Sequence, residues 1–212
     1  MLTNVLAFYF SLKYSAIMKN IEMIMASFQQ HQGFLTFQQV LEEKLPYKML
    51  LRMIDEGRVE VEGKGLYRLP DTYLDEWFVA QQRFSKGIFS LETALWLHGL
   101  SLTVPFEMTM SFPYGTNTKN VKSEGIRPIV LRSYYDEGII ELERQVGQKI
   151  KVYEPERVLA ECLRPVYQVD VQVIAPAFKM YFQNHKVNYS KLFHYAQLFK
   201  VTNKLQSYME VL

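Results

Sequence analysis

Ile21, Ile24, Met25 and Phe28 recur at helical spacing, which predicts an amphipathic helix from Asn20 to about Gln32, closed by Gly33. Thr36-Phe37-Gln38-Gln39 then has the form of a capping box, in which the threonine hydroxyl satisfies a free backbone amide and the glutamine reaches back. It starts a short helix ending near Glu42. Pro46 suits a first helical turn, and a third helix runs from there to about Asp55 and stops at Gly57. Its apolar stripe is Met49, Leu50, Met53 and Ile54, while Lys44, Lys48 and Arg52 fall at four-residue spacing on another face. Arg58 to Glu62 alternates with Val59 and Val61 on one side, Gly63-Lys64-Gly65 turns, and Leu66 to Leu69 returns. Three helices and a β-hairpin within about fifty residues have the layout of a winged helix-turn-helix.

From Asp71 the pattern is that of a second, mixed α/β unit. Tyr73 to Ser85 is helical in pattern, and Ser90 is placed to cap a helix carrying Leu91, Ala94, Leu95 and His98, closed by Gly99. Phe106, Met108, Met110 and Phe112 alternate with polar residues and predict a strand. Ile126–Tyr134 and Ile139–Glu143 read as strands joined by an Asp136-Glu137-Gly138 hairpin turn. Gly147-Gln148 turns into Ile150–Tyr153, Pro155 opens a helix through Leu163, and the chain beyond about Val171 is mostly helical. The expected fold class is α+β: a winged helix-turn-helix in residues 1–70, including an N-terminal extension, and a mixed α/β domain with a helical C-terminus in residues 71–212.

Composition narrows the function classes. In 212 residues, hydrophobic side chains make up 49% and charged ones 22%, a globular balance that excludes disorder. The single cysteine, Cys162, makes neither an internal disulfide nor a zinc cage, which suits a reducing, cytoplasmic setting. Met1 to Phe10 is apolar, yet no Lys or Arg precedes it and no cleavage pattern follows, so neither a signal peptide nor a membrane span is expected. The stretch reads as an accessory element, or as a leader to a start at Met18.

Charge placement says more than the net charge of +2. Residues 1–70 carry 8 basic and 7 acidic side chains, residues 71–163 carry 10 and 13, and residues 164–212 carry 6 and 2. An acidic middle therefore masks a basic C-terminal region. In the N-terminal module, Lys44, Lys48 and Arg52 line the third helix, with Tyr47 and Leu51 beside them, and Lys64 and Arg68 belong to the hairpin. Tyr47, Lys48, Leu51 and Arg52 are the candidates to meet base edges if that helix enters a major groove, and a solvated charged face is the alternative.

Other constellations are weaker. Asp55, Glu62 and Lys64 match a nuclease spacing loosely, but Lys64 sits in a glycine-flanked turn. His98 has no Cys or second His at ligand spacing and reads as a satisfied, partly buried side chain; Cys162 reads as a small buried hydrophobe. There is no phosphate loop, nucleophile elbow or dinucleotide fingerprint, so no catalytic residue, metal or cofactor is expected. The C-terminal aromatics read as helical core, whereas Lys179, Lys186, Lys191, Lys200 and Lys204 are not required by packing.

Three ordered segments resemble AbiEi-type antitoxins: Ile54-Asp55-Glu56-Gly57-Arg58 with Gly65-Leu66-Tyr67-Arg68-Leu69-Pro70, then Ile88 to Leu100, then Val152-Tyr153-Glu154-Pro155-Glu156-Arg157-Val158-Leu159, similar to that family's Pro-x-Arg helix start. The resemblance spans Met18 to Leu212. It implies a non-enzymatic component of a bacterial type IV toxin–antitoxin system linked to abortive infection. The implied partners are double-stranded operator DNA with inverted repeats, through which the operon is repressed, and a nucleotidyltransferase-like toxin countered without a stable complex. The basic C-terminal lysines are the candidates for antitoxicity. A winged-helix regulator with a ligand-sensing or dimerisation domain, and a metal-dependent nuclease, are the other readings.

Overall fold

No proline or glycine interrupts the chain before Gly33, and a single helix, α1 (Leu2–Gln30), occupies this stretch, longer than the apolar stripe predicts. The structure, a computed structural model, describes residues 2–211. Only the C-terminal part of α1 carries the stripe inward: Ile24 and Phe28 are fully buried, while Tyr14 and Met18 are exposed. Gly33 ends the segment with φ of +86°, and a Cβ there would stand 2.2 Å from Thr72 Oγ1.

The chain divides into two compact units, Met1–Arg83 with Glu143–Gln148, and Phe84–Leu142 with Lys149–Leu212. In the first, α1 is followed by β1 (Phe34–Thr36), α2 (Phe37–Glu42), α3 (Tyr47–Asp55), β2 (Glu60–Gly63), β3 (Leu66–Arg68) and α4 (Glu76–Arg83). The capping box at Thr36 is formed: Gln39 N–H donates to Thr36 Oγ1 at 3.3 Å, and Thr36 N–H donates to Gln39 Oε1 at 2.7 Å. β3 lies between β1 and β2 in an antiparallel three-stranded sheet. Ile24, Phe28, Leu35, Val40, Leu50, Met53, Val59 and Tyr67 form one core, so α1, α3 and the sheet share a single apolar interior.

The hairpin departs from the expected alternation. Val61 within β2 is exposed, whereas Val59 is buried because it precedes the strand in the segment that closes α3, its N–H donating to Met53 O at 3.2 Å; the register then shifts between Val61 and Gly63. Residues 71–83 group with the first unit, where Phe78 meets the Phe34 ring edge-on at 5.0 Å, and the helix expected over Tyr73–Ser85 is confined to α4.

The chain continues as β4 (Ile88–Phe89), α5 (Leu91–Leu97), β5 (Met108–Pro113), α6 (Lys119–Ser123), β6 (Ile126–Leu131), β7 (Ile139–Gln145), β8 (Gln148–Tyr153), α7 (Pro155–Cys162), α8 (Val171–Asn184), α9 (Tyr189–Leu198) and α10 (Thr202–Val211). The five strands are ordered β6-β5-β4-β8-β7, with β5 and β6 parallel. The hairpin expected around Asp136-Glu137-Gly138 is therefore not formed: β6 and β7 occupy opposite edges, and β7 pairs with β8 instead. Local turn chemistry at Gly138 reports a reversal of the chain, not a pairing. β5 also differs from a half-buried strand. Met110 and Phe112 are buried, but so are Thr109 and Ser111 on the other face, while Phe106 lies before the strand and is fully exposed. Ser111 Oγ donates to Ser90 Oγ at 2.9 Å, which satisfies that hydroxyl in the interior, and the Thr109 backbone N–H donates to Thr93 Oγ1 at 2.8 Å. The architecture is α+β, and among the described residues no helix is long and apolar enough to cross a membrane.

Candidate nucleic-acid interface

The outward face of α3 is set by its two inward anchors. Leu50 and Met53 are fully buried, and helical geometry then leaves Tyr47, Lys48, Leu51, Arg52 and Asp55 exposed. No acidic residue occupies its first turn, so the positive end of the helix and Lys48 add to one another.

Two contacts bring the start of this face to the hairpin turn. Phe37 N–H donates to Gly65 O at 2.7 Å, and the Phe37 ring packs edge-on against Tyr47 at 5.7 Å. Burial above all, and then the neighbouring Tyr47 hydroxyl, pushes the Tyr67 hydroxyl up to about 12, so it stays protonated. Lys64 at the turn and Lys48 on α3 thus belong to the same end of the unit, and Arg52 lies one helical turn further on.

The seven predicted residues do not present themselves alike. Lys44, Lys48 and Lys64 are exposed and make no ion pair among the described residues. Arg52 is exposed, but its Nε donates to Glu56 Oε1 at 2.7 Å, a partner it must exchange to meet a phosphate. Arg68 is pinned within the stem: it pairs with Glu60 at 2.6 Å and Glu62 at 2.8 Å, and its Nη1 donates to Pro70 O and Thr72 O. Its guanidinium is saturated, so its place is in holding the hairpin. The pairing also engages Glu62, one carboxylate of the loose nuclease spacing.

The turn between α2 and α3 is fixed by a polar chain. Ser27 Oγ donates to Glu43 Oε2 at 2.6 Å, His31 Nε2 meets Glu43 Oε1 at 2.5 Å, and Gln39 Nε2 donates to His31 Nδ1 at 3.0 Å. Because Gln39 uses its oxygen on Thr36, its amide faces Nδ1, which leaves the His31 proton on Nε2. The Ser27 hydrogen bond above all, and His31 next, hold the Glu43 carboxyl below its usual value of 4.5 against the opposing effect of burial. A depressed carboxylate stabilises the fold above its unfolded value and loses that contribution as pH falls through the folded one. Urea midpoints are therefore expected to fall on acidification below about 4.5, and Ser27→Ala is expected to fall less over the same window. An identical acid dependence in the two proteins would refute this link.

The C-terminal lysines are all exposed but not equally free. Lys191 pairs with Glu154, and Lys204 Nζ donates to Leu163 O at 3.2 Å. Lys179, Lys186 and Lys200 make no ion pair among the described residues. His98 Nε2 lies 2.7 Å from Tyr153 O, and burial lowers its pKa, as expected of a satisfied histidine. Cys162 is 2% exposed, and burial raises its thiol pKa well above 9.0.

One charged cluster is built around the Pro-x-Arg helix start, a segment whose sequence marks a resemblance without giving any of its residues a role. At the start of α7, Glu154 accepts from Tyr195 at 2.6 Å as well as from Lys191, and Glu156 accepts from Tyr181 at 2.6 Å. Arg157 is fully buried, with Nη1 donating to Tyr134 O and Glu137 O and its guanidinium 3.5 Å over the Tyr153 ring. The sequence signal is the charged set Glu154, Glu156, Arg157 and Glu161 placed among the apolar residues that run from Val152 to Leu163.

Residues 22–70 match the family described as transcriptional regulator, AbiEi antitoxin. No curated protein matches the chain. Among solved structures, the RV2827C protein from Mycobacterium tuberculosis is similar at 9% identity and a TM-score of 0.46, over 91% of this chain and 81% of that one.

Proposed function

We propose that the chain is an antitoxin and autorepressor whose residues 1–70 form a winged helix-turn-helix, with α3 as recognition helix and the β2–β3 hairpin as wing. The observation that carries this reading is the exposed face of Tyr47, Lys48, Leu51 and Arg52 inside the segment that matches the antitoxin regulator family. Lys44, Lys48 and Lys64 contact phosphates, and Arg52 joins them on releasing Glu56. The operator is duplex DNA with inverted repeats in the promoter of the protein's own operon.

Residues 71–212 counter a nucleotidyltransferase-like toxin in the cytoplasm without a stable complex and without catalysis of their own, through Lys179, Lys186, Lys191, Lys200 and Lys204. The test is co-expression with the neighbouring open reading frame. Growth should be arrested by that frame alone and restored by this chain, and a folded fragment lacking residues 1–70 should still restore it. Failure of the full chain to rescue would sink the antitoxin role. Rescue by the full chain but not by the folded fragment would sink the division of labour.

A further inference from the structure

The second unit holds a cavity of about 600 Å³ assembled from three distant stretches of chain: the end of β6, the turn after α7 and the junction of α9 with α10. Arg132, Arg164 and Lys200 supply three cations to its lining, Tyr134, Tyr167 and Phe199 supply aromatic surface, and no Asp or Glu lines it among the described residues. The volume falls in the range of small-molecule sites, roughly 300–1,000 Å³.

The surroundings reinforce both features. Arg164 donates to the Tyr167 hydroxyl at 3.1 Å and stands 5.1 Å over that ring, so cation and ring hold each other in place. Behind the lining, Arg157 donates to Tyr134 O at 2.5 Å and lies 5.5 Å from the Phe199 ring centroid. The buried acid beside them, Glu161, is 3.7 Å from both Arg157 and Arg164, so one carboxylate faces two guanidiniums and the region keeps an excess of positive charge. Two lining residues also carry a left-handed backbone, Tyr134 with φ of 62° and Lys200 with φ of 58°. At Lys200 this is the cap of α9, where Val201 N–H donates to Ala196 O at 2.8 Å, whereas Tyr134 lies outside any helix end, and an aromatic residue holds that backbone only where its surroundings impose it.

We propose that this cavity binds a nucleoside phosphate, its phosphate groups taken by Arg132, Arg164 and Lys200 and its base laid against the Tyr134 and Tyr167 rings. Guanidinium groups match phosphate oxygens in pairs, and aromatic faces stack any base. A simple anion would use the cations and leave the rings idle; an apolar metabolite would do the reverse. The site shares no residue with the α3 face and is too small for a duplex; it shares Lys200 with the lysines assigned to toxin neutralisation, but ligand binding is read on the chain alone, with no toxin present.

The experiment is calorimetric titration of the full chain, at low ionic strength, with ATP, adenosine and tripolyphosphate in parallel. ATP should bind in the micromolar range, with adenosine and tripolyphosphate each at least about tenfold weaker. Lys200→Gly removes a cation at a backbone position that suits glycine, and Arg132→Gln changes an exposed side chain; each should weaken ATP at least about fivefold with an unchanged circular dichroism spectrum. No ATP binding at about 1 mM, tripolyphosphate binding equal to ATP, or folded variants that bind as the parent does would each overturn the proposal. Should a variant fail to fold, the three ligands on the parent chain still decide it.

Discussion

Replacing Lys48 and Arg52 together with alanine is expected to abolish retardation of the promoter fragment while the thermal transition stays where it was. Both side chains are exposed on α3, so their loss opens no cavity in the core formed by Leu50 and Met53. For a Lys on phosphate and an Arg at a base edge or phosphate, the combined loss is about 2–4 kcal/mol, or roughly 30- to 1,000-fold in Kd. The slope of log K against log salt should flatten by about 0.9 for each phosphate contact removed. Glu56→Gln probes the same face from the other side. It frees Arg52 from its partner at 2.7 Å, an exposed pair of the kind worth under about 1 kcal/mol, so binding should tighten by up to roughly fivefold. Unchanged retardation in the double variant would remove α3 from the interface.

The largest expected effect on stability is at Arg157. Its guanidinium is fully buried, donates to Tyr134 O and Glu137 O, lies on the Tyr153 ring, and faces Glu161 at 3.7 Å. Arg157→Ala leaves that carboxylate, 1% exposed, with Arg164 at 3.7 Å and the Tyr167 hydroxyl at 3.4 Å, and removing one partner of a buried pair typically costs about 3–5 kcal/mol. In thermal denaturation this corresponds to a fall of roughly 6–20 °C. Burial already pushes the Glu161 carboxyl above 4.5, and without Arg157 the push grows. A carboxyl raised in the folded state favours folding while it is protonated, so the deficit should widen as pH rises above about 4.5. Replacing both members, as in Arg157→Met with Glu161→Leu, removes the stranded charge and should lie closer to the parent than the single variant. A single variant within about 1 kcal/mol of the parent would contradict this reading of the pair.

Local chemistry was readable in the sequence, and long-range pairing was not. The Thr36–Gln39 box and the inward–outward division of α3 depend on residues three and four apart, and both form as the spacing predicts. β1 has only three residues, and what makes Phe34–Thr36 a strand is its pairing with Leu66–Arg68, about thirty residues along. The positions of β6 and β7 at opposite edges likewise follow from which strands enter the sheet between them. Arg68 shows the same limit at the level of one side chain. Its charge was evident, but whether that charge is spent on Glu60 and Glu62 depends on a hairpin register with a shift in it. The cavity drew its cations and rings from three stretches that share no motif, so only the folded chain assembles it.

The lone cysteine gives the second unit a built-in reporter. Cys162 ends α7 with its sulfur shut away from solvent, and a thiol in that state does not meet an alkylating reagent until the surrounding helices part. Mass-spectrometric labelling of the unmodified chain therefore times the opening of that region one molecule at a time, with no second thiol to confuse the count. A bound ligand that closes the region will register as a slower clock.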